Sequence, residues 1–279
     1  GKIIRNWIHS ESNLKNIIEI GSGTGSLIEQ IGIKEITAVE LSSTAREELI
    51  KKGIDTHTTI DELTTKTSDL IFGNEILDNI PCSIGLYKDE GWYEKVVLLE
   101  ENSLAYGLRP IRNEELDWIN KNNIVPNEDY EFEIQVNIDK FLNSVIKKIN
   151  PGKILLFDYG YEQKNRDKRM YSSLLRTYKN HHLSVDPIDD PGNIDITYDV
   201  NFSSISSELK YLGYDVTLKL QRDFLLDNGF NIFFDELQEK YIAAEGIEKL
   251  KINSELNGMK AIVDSNGLGG FYCLIAEKL

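Results

Sequence analysis

Two cysteines in 279 residues, Cys82 and Cys273, are too few and too far apart for a disulfide framework, and neither belongs to a Cys-x-x-Cys pair that would suggest zinc. They fit a reducing compartment. Apolar runs are short: none approaches the ~20 residues that cross a bilayer, and no signal peptide is visible, so no membrane partner is expected. Positive charge is scarce too. With 31 Lys and Arg against 46 Asp and Glu, the chain carries a net charge of −15 and lacks the clustered bases that a phosphate backbone requires, which argues against nucleic acid as partner. The same balance suits a cationic substrate, or simply keeps the surface solvated. Repeats and low-complexity tracts are absent. A hydrophobic content of 41% and a charged content of 28% are those of a globular protein, long enough for one large domain or a domain with a sizeable insertion. The sequence opens on Gly1 rather than methionine, which leaves room for a preceding segment.

What is present is a glycine turn. In NIIEIGSGTGSLIEQI, residues 16–31, Gly21, Gly23 and Gly25 fill three of five positions, between an apolar run and a segment from Leu27 to Ile31 with helical spacing. Strand, glycine turn and helix in that order make a nucleotide site, because bare backbone N–H groups face the ligand. Two ligands compete for it. The dinucleotide fingerprint wants Gly-x-Gly-x-x-Gly, whereas here the third glycine comes one residue early and Ser26 stands in its place. The alternative, Glu-x-Gly-x-Gly-x-Gly from Glu19 to Gly25, suits S-adenosylmethionine (SAM), whose sulfonium and amino group tolerate a nearby carboxylate better than a pyrophosphate does. A second strand, 36–40, ends in Glu40, 19 positions after Gly21, where a carboxylate accepts ribose hydroxyls in either case. A tight turn without a ligand is the bland alternative.

The first half alternates strand and helix signals, which predicts a parallel sheet. Strands are expected at 16–20, 36–40, near 55–60, at 69–73 and in KILLFDYG (153–160), with a helix from Ser43 to Gly53. GWYEKVVLLEEN reads as a hairpin strand, and NIDKFLNSVIKKIN as an amphipathic helix ending before Pro151. From Tyr161 to about Tyr211 the alternation lapses, and the stretch reads as an irregular insertion over the sheet. GGFYCLIAEKL closes the chain as a strand. Ligands of such sheets bind outside the carboxyl ends of the strands. That singles out Gly21–Gly25, Glu40, Asn74–Asp78 and Asp158–Tyr161, every one polar or glycine or next to such residues.

Glu75 and Asp78, three residues apart in GNEILDNIP, are expected to face the same way on one helical turn. Two carboxylates beside a methyl donor suit a guanidinium, which presents five N–H donors and stays protonated in water. Ordinary N-terminal helix acids are the alternative. His181 and His182 lack a third ligand at helical spacing, so no metal is expected, and methyl transfer needs none. Trp92 and Trp118 read as packing residues in preference to a cation cage.

IIEIGSGTGSL, VELS, GNEILDNIP, KILLFDYGY, LLRTYKNHH, PIDDPGNIDITYDVNF and FLLDNGF resemble, in that order, the successive motifs of MidA-type SAM-dependent methyltransferases. That family includes the mitochondrial methyltransferase required for respiratory complex I assembly, which modifies an arginine of a complex I subunit. The resemblance implies a single class I methyltransferase domain over 1–279, an α/β Rossmann-like sheet with insertions at about 83–135 and 161–211. It implies SAM as cofactor and a protein with an exposed arginine as substrate. The location it implies is the bacterial cytoplasm, or the mitochondrial matrix in a eukaryote, and it leaves a homodimer open. Carried over by position, Glu19, Gly21, Gly23, Gly25, Glu40, Leu41 and Asn74 would contact the cofactor, and Glu75 and Asp78 would be catalytic. Asp158 and Tyr159 match an Asp-Tyr-Gly motif, Arg176 and His181 an Arg-x-Tyr-x-x-His segment, and Asp195 the Pro-Gly-x-x-Asp-hydrophobic-Thr segment beginning at Pro191. These five would bind substrate. The chain departs from the family at Ser173-Leu174-Leu175-Arg176, usually Gly-Thr-Leu-Arg, and at Asn201, usually Asp. A small-molecule or peptide methyltransferase and a non-catalytic SAM-binding assembly factor remain the competing functions.

Overall fold

The structure, a computed structural model, describes residues 1–11, 14–64, 68–126, 128–168, 174–179, 182–183 and 186–278. Two compact units divide the chain: Gly1–Ile76, Ser144–Tyr159 and Leu209–Leu279 form the first, Leu77–Asn143 and Gly160–Glu208 the second. Among the described residues no helix is long and apolar enough to cross a membrane.

The first unit opens with α1 (Lys2–Ser10), which buries Ile3, Ile4, Trp7 and Ile8 on one face. Then come β1 (Ile17–Ile20), α2 (Ser26–Ile31), β2 (Ile36–Val39), α3 (Ser43–Lys51), β3 (Thr56–His57) and β4 (Ser68–Asn74). The second unit receives the chain for β5 (Ser83–Lys88), β6 (Gly91–Glu100), β7 (Ser103–Pro110), α4 (Asn113–Lys121) and β8 (Tyr130–Ile134). Helix α5 (Val136–Ile146) leads back to β9 (Ile149–Asp158) in the first unit. A second excursion holds β10 (Gly160–Tyr161), β11 (Leu175–Lys179), β12 (His182–Leu183), β13 (Asp195–Tyr198) and β14 (Val200–Asn201). After α6 (Phe202–Tyr211), the chain completes the first unit with β15 (Asp215–Leu220), α7 (Gln221–Asp227), α8 (Phe230–Ala243), α9 (Gly246–Ala261) and β16 (Tyr272–Lys278).

The seven-stranded sheet of the first unit runs β15-β16-β9-β4-β1-β2-β3, parallel from β9 to β3, with β16 antiparallel to both neighbours. The Rossmann-like α/β sheet read from the sequence is present. Its inner strands β1 and β4 are buried over Ile17–Ile20 and over the Leu70-Ile71-Phe72-Gly73 run, as a parallel sheet covered on both faces requires. Ile17, Leu70, Phe72, Leu155 and Phe157 join Trp7, Ile31 and Phe224 in the main core. Helix α3 starts where expected, on Ser42, whose hydroxyl accepts from the Ala45 N–H at 3.4 Å.

The second unit is antiparallel in the main: a four-stranded sheet β7-β6-β5-β8 and a three-stranded sheet β12-β11-β13. Trp118 and Phe132 centre its core, and Trp92 packs edge-on against Phe132 with ring centroids 5.0 Å apart, so both tryptophans are packing residues.

Three sequence expectations change. The helix expected to reach Asn150 stops at Ile146, and β9 already begins at Ile149, with Pro151 inside it. The register slips there: Ser68 pairs with Ile149 and Leu70 with Lys153, so Asp69 alone faces three residues, and Pro151 needs no ladder N–H. Among the described residues of 161–211, the regular elements β11, β13 and α6 stand where an irregular insertion is expected. Its short antiparallel strands give too little alternation to register in the sequence. Finally, Glu75 and Asp78 share no helical turn. Glu75 has φ 51°, and residues 75–80 form bends and a turn.

Candidate active site

Parallel strands deliver their carboxyl ends to one edge, and the register aligns them to within one residue. Ile20 lies opposite Val39 on one side and Gly73 on the other, while Asn74 lies opposite Phe157. Gly21 and Glu40 therefore come level with Asn74, and Glu75 and Asp158 follow one residue further along β4 and β9. Between β1 and β4 the order in which successive strands fill the sheet reverses, which is where open α/β sheets bind ligands.

The three glycines of the turn serve different ends. A Cβ on Gly21 would lie 2.3 Å from Cγ2 of Ile76, and one on Gly25 would lie 2.7 Å from Cδ2 of Leu49, so both make room for neighbouring side chains. A Cβ on Gly23 would meet nothing within 4 Å. That glycine, at φ 53°, presents bare backbone to open space. Its N–H donates to Oε2 of Glu40 at 2.8 Å, while Oε1 of Glu40 accepts from the Ser42 N–H at 2.8 Å. Leu41, 77% exposed, follows directly.

Glu19 is buried in β1, and its Oε2 has no hydrogen-bond partner among the described residues. Burial above all, with the Glu40 charge adding, pushes its carboxyl up to about 8. An amine-bearing cation would give this carboxylate a counter-ion, and a ribose would find the Glu40 carboxylate beside open backbone. The residues present fit a SAM-type ligand.

At the end of β4, Asn74 donates from Nδ2 to Oε1 of Glu75 at 3.1 Å, and the Glu75 N–H donates to the Phe157 carbonyl at 2.9 Å. A non-glycine residue held in the left-handed region at a ligand edge is characteristic of functional sites. Asp158, fully buried, accepts from the Tyr159 N–H at 2.9 Å, and the Tyr159 ring packs edge-on against Phe271.

The remaining sequence candidates fall in the second unit. Asp78 is buried and accepts from Nδ2 of Asn79 at 2.7 Å. Arg176 is engaged in a buried ion pair with Asp199 at 2.6 Å, and Asp195 is exposed at the start of β13. His181 lies outside the described residues. Among the described residues no group of three His, Cys, Asp or Glu side chains is placed to hold a metal ion. Sequence reasoning missed Tyr198, whose hydroxyl lies 2.9 Å from the Leu77 carbonyl and 2.7 Å from that of Ile80, bracing the backbone that carries Asp78. It sits in the quoted Asp-Ile-Thr-Tyr segment, but nothing in its spacing distinguishes a brace from a core tyrosine.

Two crystal structures of Burkholderia thailandensis proteins share this fold. One, bound to S-adenosyl-homocysteine, is 21% identical over 99% of this chain and 76% of its own, with a TM-score of 0.83. The other, a native structure, is 21% identical over 100% and 78%, with a TM-score of 0.84. No match was found among curated proteins. A family model described as "Putative S-adenosyl-L-methionine-dependent methyltransferase" matches residues 2–217. Its span takes in the glycine turn, the acidic end of β2 and the strand ends that carry Glu75 and Asp158, and the chain belongs to this family of SAM-dependent methyltransferases.

Proposed function

We propose that the chain methylates an arginine side chain of a protein, in the manner of the MidA-type enzymes its motifs resemble. The observation that carries this reading is Glu75, a carboxylate set in a left-handed backbone conformation at the carboxyl edge of β4. Strain of that kind costs on the order of 1 kcal/mol or more and persists where function demands it.

The Gly21–Gly25 turn and Glu40 would hold the cofactor, with Glu19 toward its amino group. Bound there, SAM supplies a methyl group activated by a sulfonium. The work of Glu75 is on the acceptor: its two oxygens pair with guanidinium N–H groups, draw the positive charge to one side and leave the far nitrogen oriented for attack. The proton that the far nitrogen gives up once substituted passes to solvent, with S-adenosylhomocysteine as the other product, while the Glu75 charge holds the cation. Asn74, donating to Oε1, keeps the carboxylate from turning away.

The test is transfer of labelled methyl from SAM into a lysate of the source organism, followed by mass spectrometry of the labelled material. Label on a protein arginine is the expected result. Label confined to small molecules, or to another type of side chain, overturns the reading.

A further inference from the structure

The second unit carries 22 of the chain's 46 acidic residues but only 12 of its 31 basic ones. Within it, the β6–β7 hairpin bears an apolar stripe whose residues stay exposed among the described residues of the unit. Cross-strand pairing sets Val97 opposite Tyr106, Leu99 opposite Leu104 and Lys95 opposite Leu108, all on one face. Every one of the five apolar members is exposed, Leu99 by 75%. Strand β7 is also the last strand of its sheet, eight residues long, and among the described residues no strand pairs with its outer edge. A long apolar edge strand invites a further strand.

The stripe continues into a cavity of about 910 Å³, to which it contributes Lys95, Val97 and Tyr106, and which Ile188 and Ile196 also line. This lies near the upper end of the ~300–1,000 Å³ range of ligand pockets and is larger than one side chain fills. Its surroundings are acidic. The Tyr106 hydroxyl donates to Asp186, and burial, that bond and the charges of Asp186, Asp189 and Glu131 all raise its phenol above the ordinary value. Lys95 is held by Glu131 at 3.3 Å.

We propose that the exposed face of the β6–β7 hairpin and the adjoining cavity dock an extended segment of the acceptor protein that carries both apolar and Lys or Arg side chains, adding a strand to β7. Main-chain pairing gives such a complex its affinity, and side-chain pockets and charge its selectivity. The inference rests on the acceptor being a protein.

Fluorescence anisotropy with labelled decapeptides tests it, using one that alternates Val with Lys, one Val with Glu and one Ser with Lys. The Val/Lys peptide binds the full chain at least about tenfold more tightly than either control. The double substitution Leu104→Ser with Leu108→Ser, on exposed positions, removes that advantage and leaves SAM affinity unchanged. Equal affinity for the three peptides, or selectivity unmoved by the double substitution, overturns the proposal. So does a dimer in sedimentation that the same substitutions convert to monomer, since a second copy then occupies the stripe. Peptide selectivity without arginine label in the lysate would defeat the arginine reading alone; arginine label without selectivity would defeat the docking surface alone.

Discussion

The Glu40 carboxylate bridges two backbone N–H groups, that of Gly23 in the glycine turn and that of Ser42 at the start of α3, each at 2.8 Å. One side chain thus fixes the turn against the end of β2, and in the proposed reading it also faces the ribose. Glu40→Ala leaves both donors without their acceptor. Calorimetry should show SAM affinity reduced by at least about tenfold, and the melting temperature should fall by several degrees, as loss of charge-assisted bonds of about 1.5–3 kcal/mol entails.

Gly21 and Gly23 should respond differently to the same change. Gly21→Ala drives a methyl group into Ile76 and is expected to destabilise the fold, seen as a lowered urea midpoint. Gly23→Ala meets no neighbour and costs only the left-handed backbone penalty of about 1–2 kcal/mol. Gly23→Leu should retain the fold by circular dichroism while abolishing SAM binding.

Glu19 makes stability depend on pH. Its folded carboxyl is raised from 4.5 to about 8, so between these values the folded chain keeps a proton that the unfolded chain has released. The stabilisation is whole below pH 4.5 and is lost as pH rises through about 8. Glu19→Gln, which cannot ionise, should melt with the wild type near pH 4 and above it at pH 8 in ligand-free samples. Identical melting curves at pH 8 would show that this carboxyl is not perturbed.

Glu75→Gln keeps the shape and removes the charge, so SAM affinity should hold while arginine methylation falls by roughly 10²-fold. Asp78→Asn is expected to cost less. Glu75→Gly separates strain from chemistry: relief of the left-handed residue should stabilise the fold by about 0.5–1 kcal/mol while transfer is lost. A normal rate for Glu75→Gln would mean that this carboxylate holds no cation.

The Arg176–Asp199 pair is buried, and Arg176→Ala removes the guanidinium that lies 2.6 Å from the Asp199 carboxylate. A loss of about 3–5 kcal/mol in urea unfolding is expected. Lower activity with unchanged stability would instead give the guanidinium a role in substrate binding.

Why some of this was legible and some not follows from range. The glycine turn and the acidic end of β2 are local patterns, and apolar runs such as IIEI and ILLF can hardly be anything but buried parallel strands. The site edge follows from them, because parallel strands must end together. Pro151 misled because its place in β9 depends on a bulge opposite Asp69, more than eighty residues upstream, which no window of sequence contains. The spacing of Glu75 and Asp78 suggested a helix, yet Ile76 packs its side chain onto Gly21 and Gly73, and that packing turns the backbone elsewhere. Among the described residues, the strands of 161–211 pair with one another and with short partners, so their pattern is too brief to read.

The ladder between β4 and β9 also governs how the molecule is made. The two strands are neighbours in the sheet, yet 74 residues separate Asn74 from Ile149 along the chain. During synthesis β1 to β4 leave the ribosome long before β9, and β16 comes later still. Until then the buried edge of β4 has no partner. Closing so long a loop costs entropy that grows only slowly with its length, but parallel, non-local pairing is slow to find. The first excursion, 77–143, can order itself through local hairpins while the sheet waits. Refolding from urea should therefore run in more than one kinetic phase, with tryptophan fluorescence from Trp92 and Trp118 recovering ahead of SAM binding.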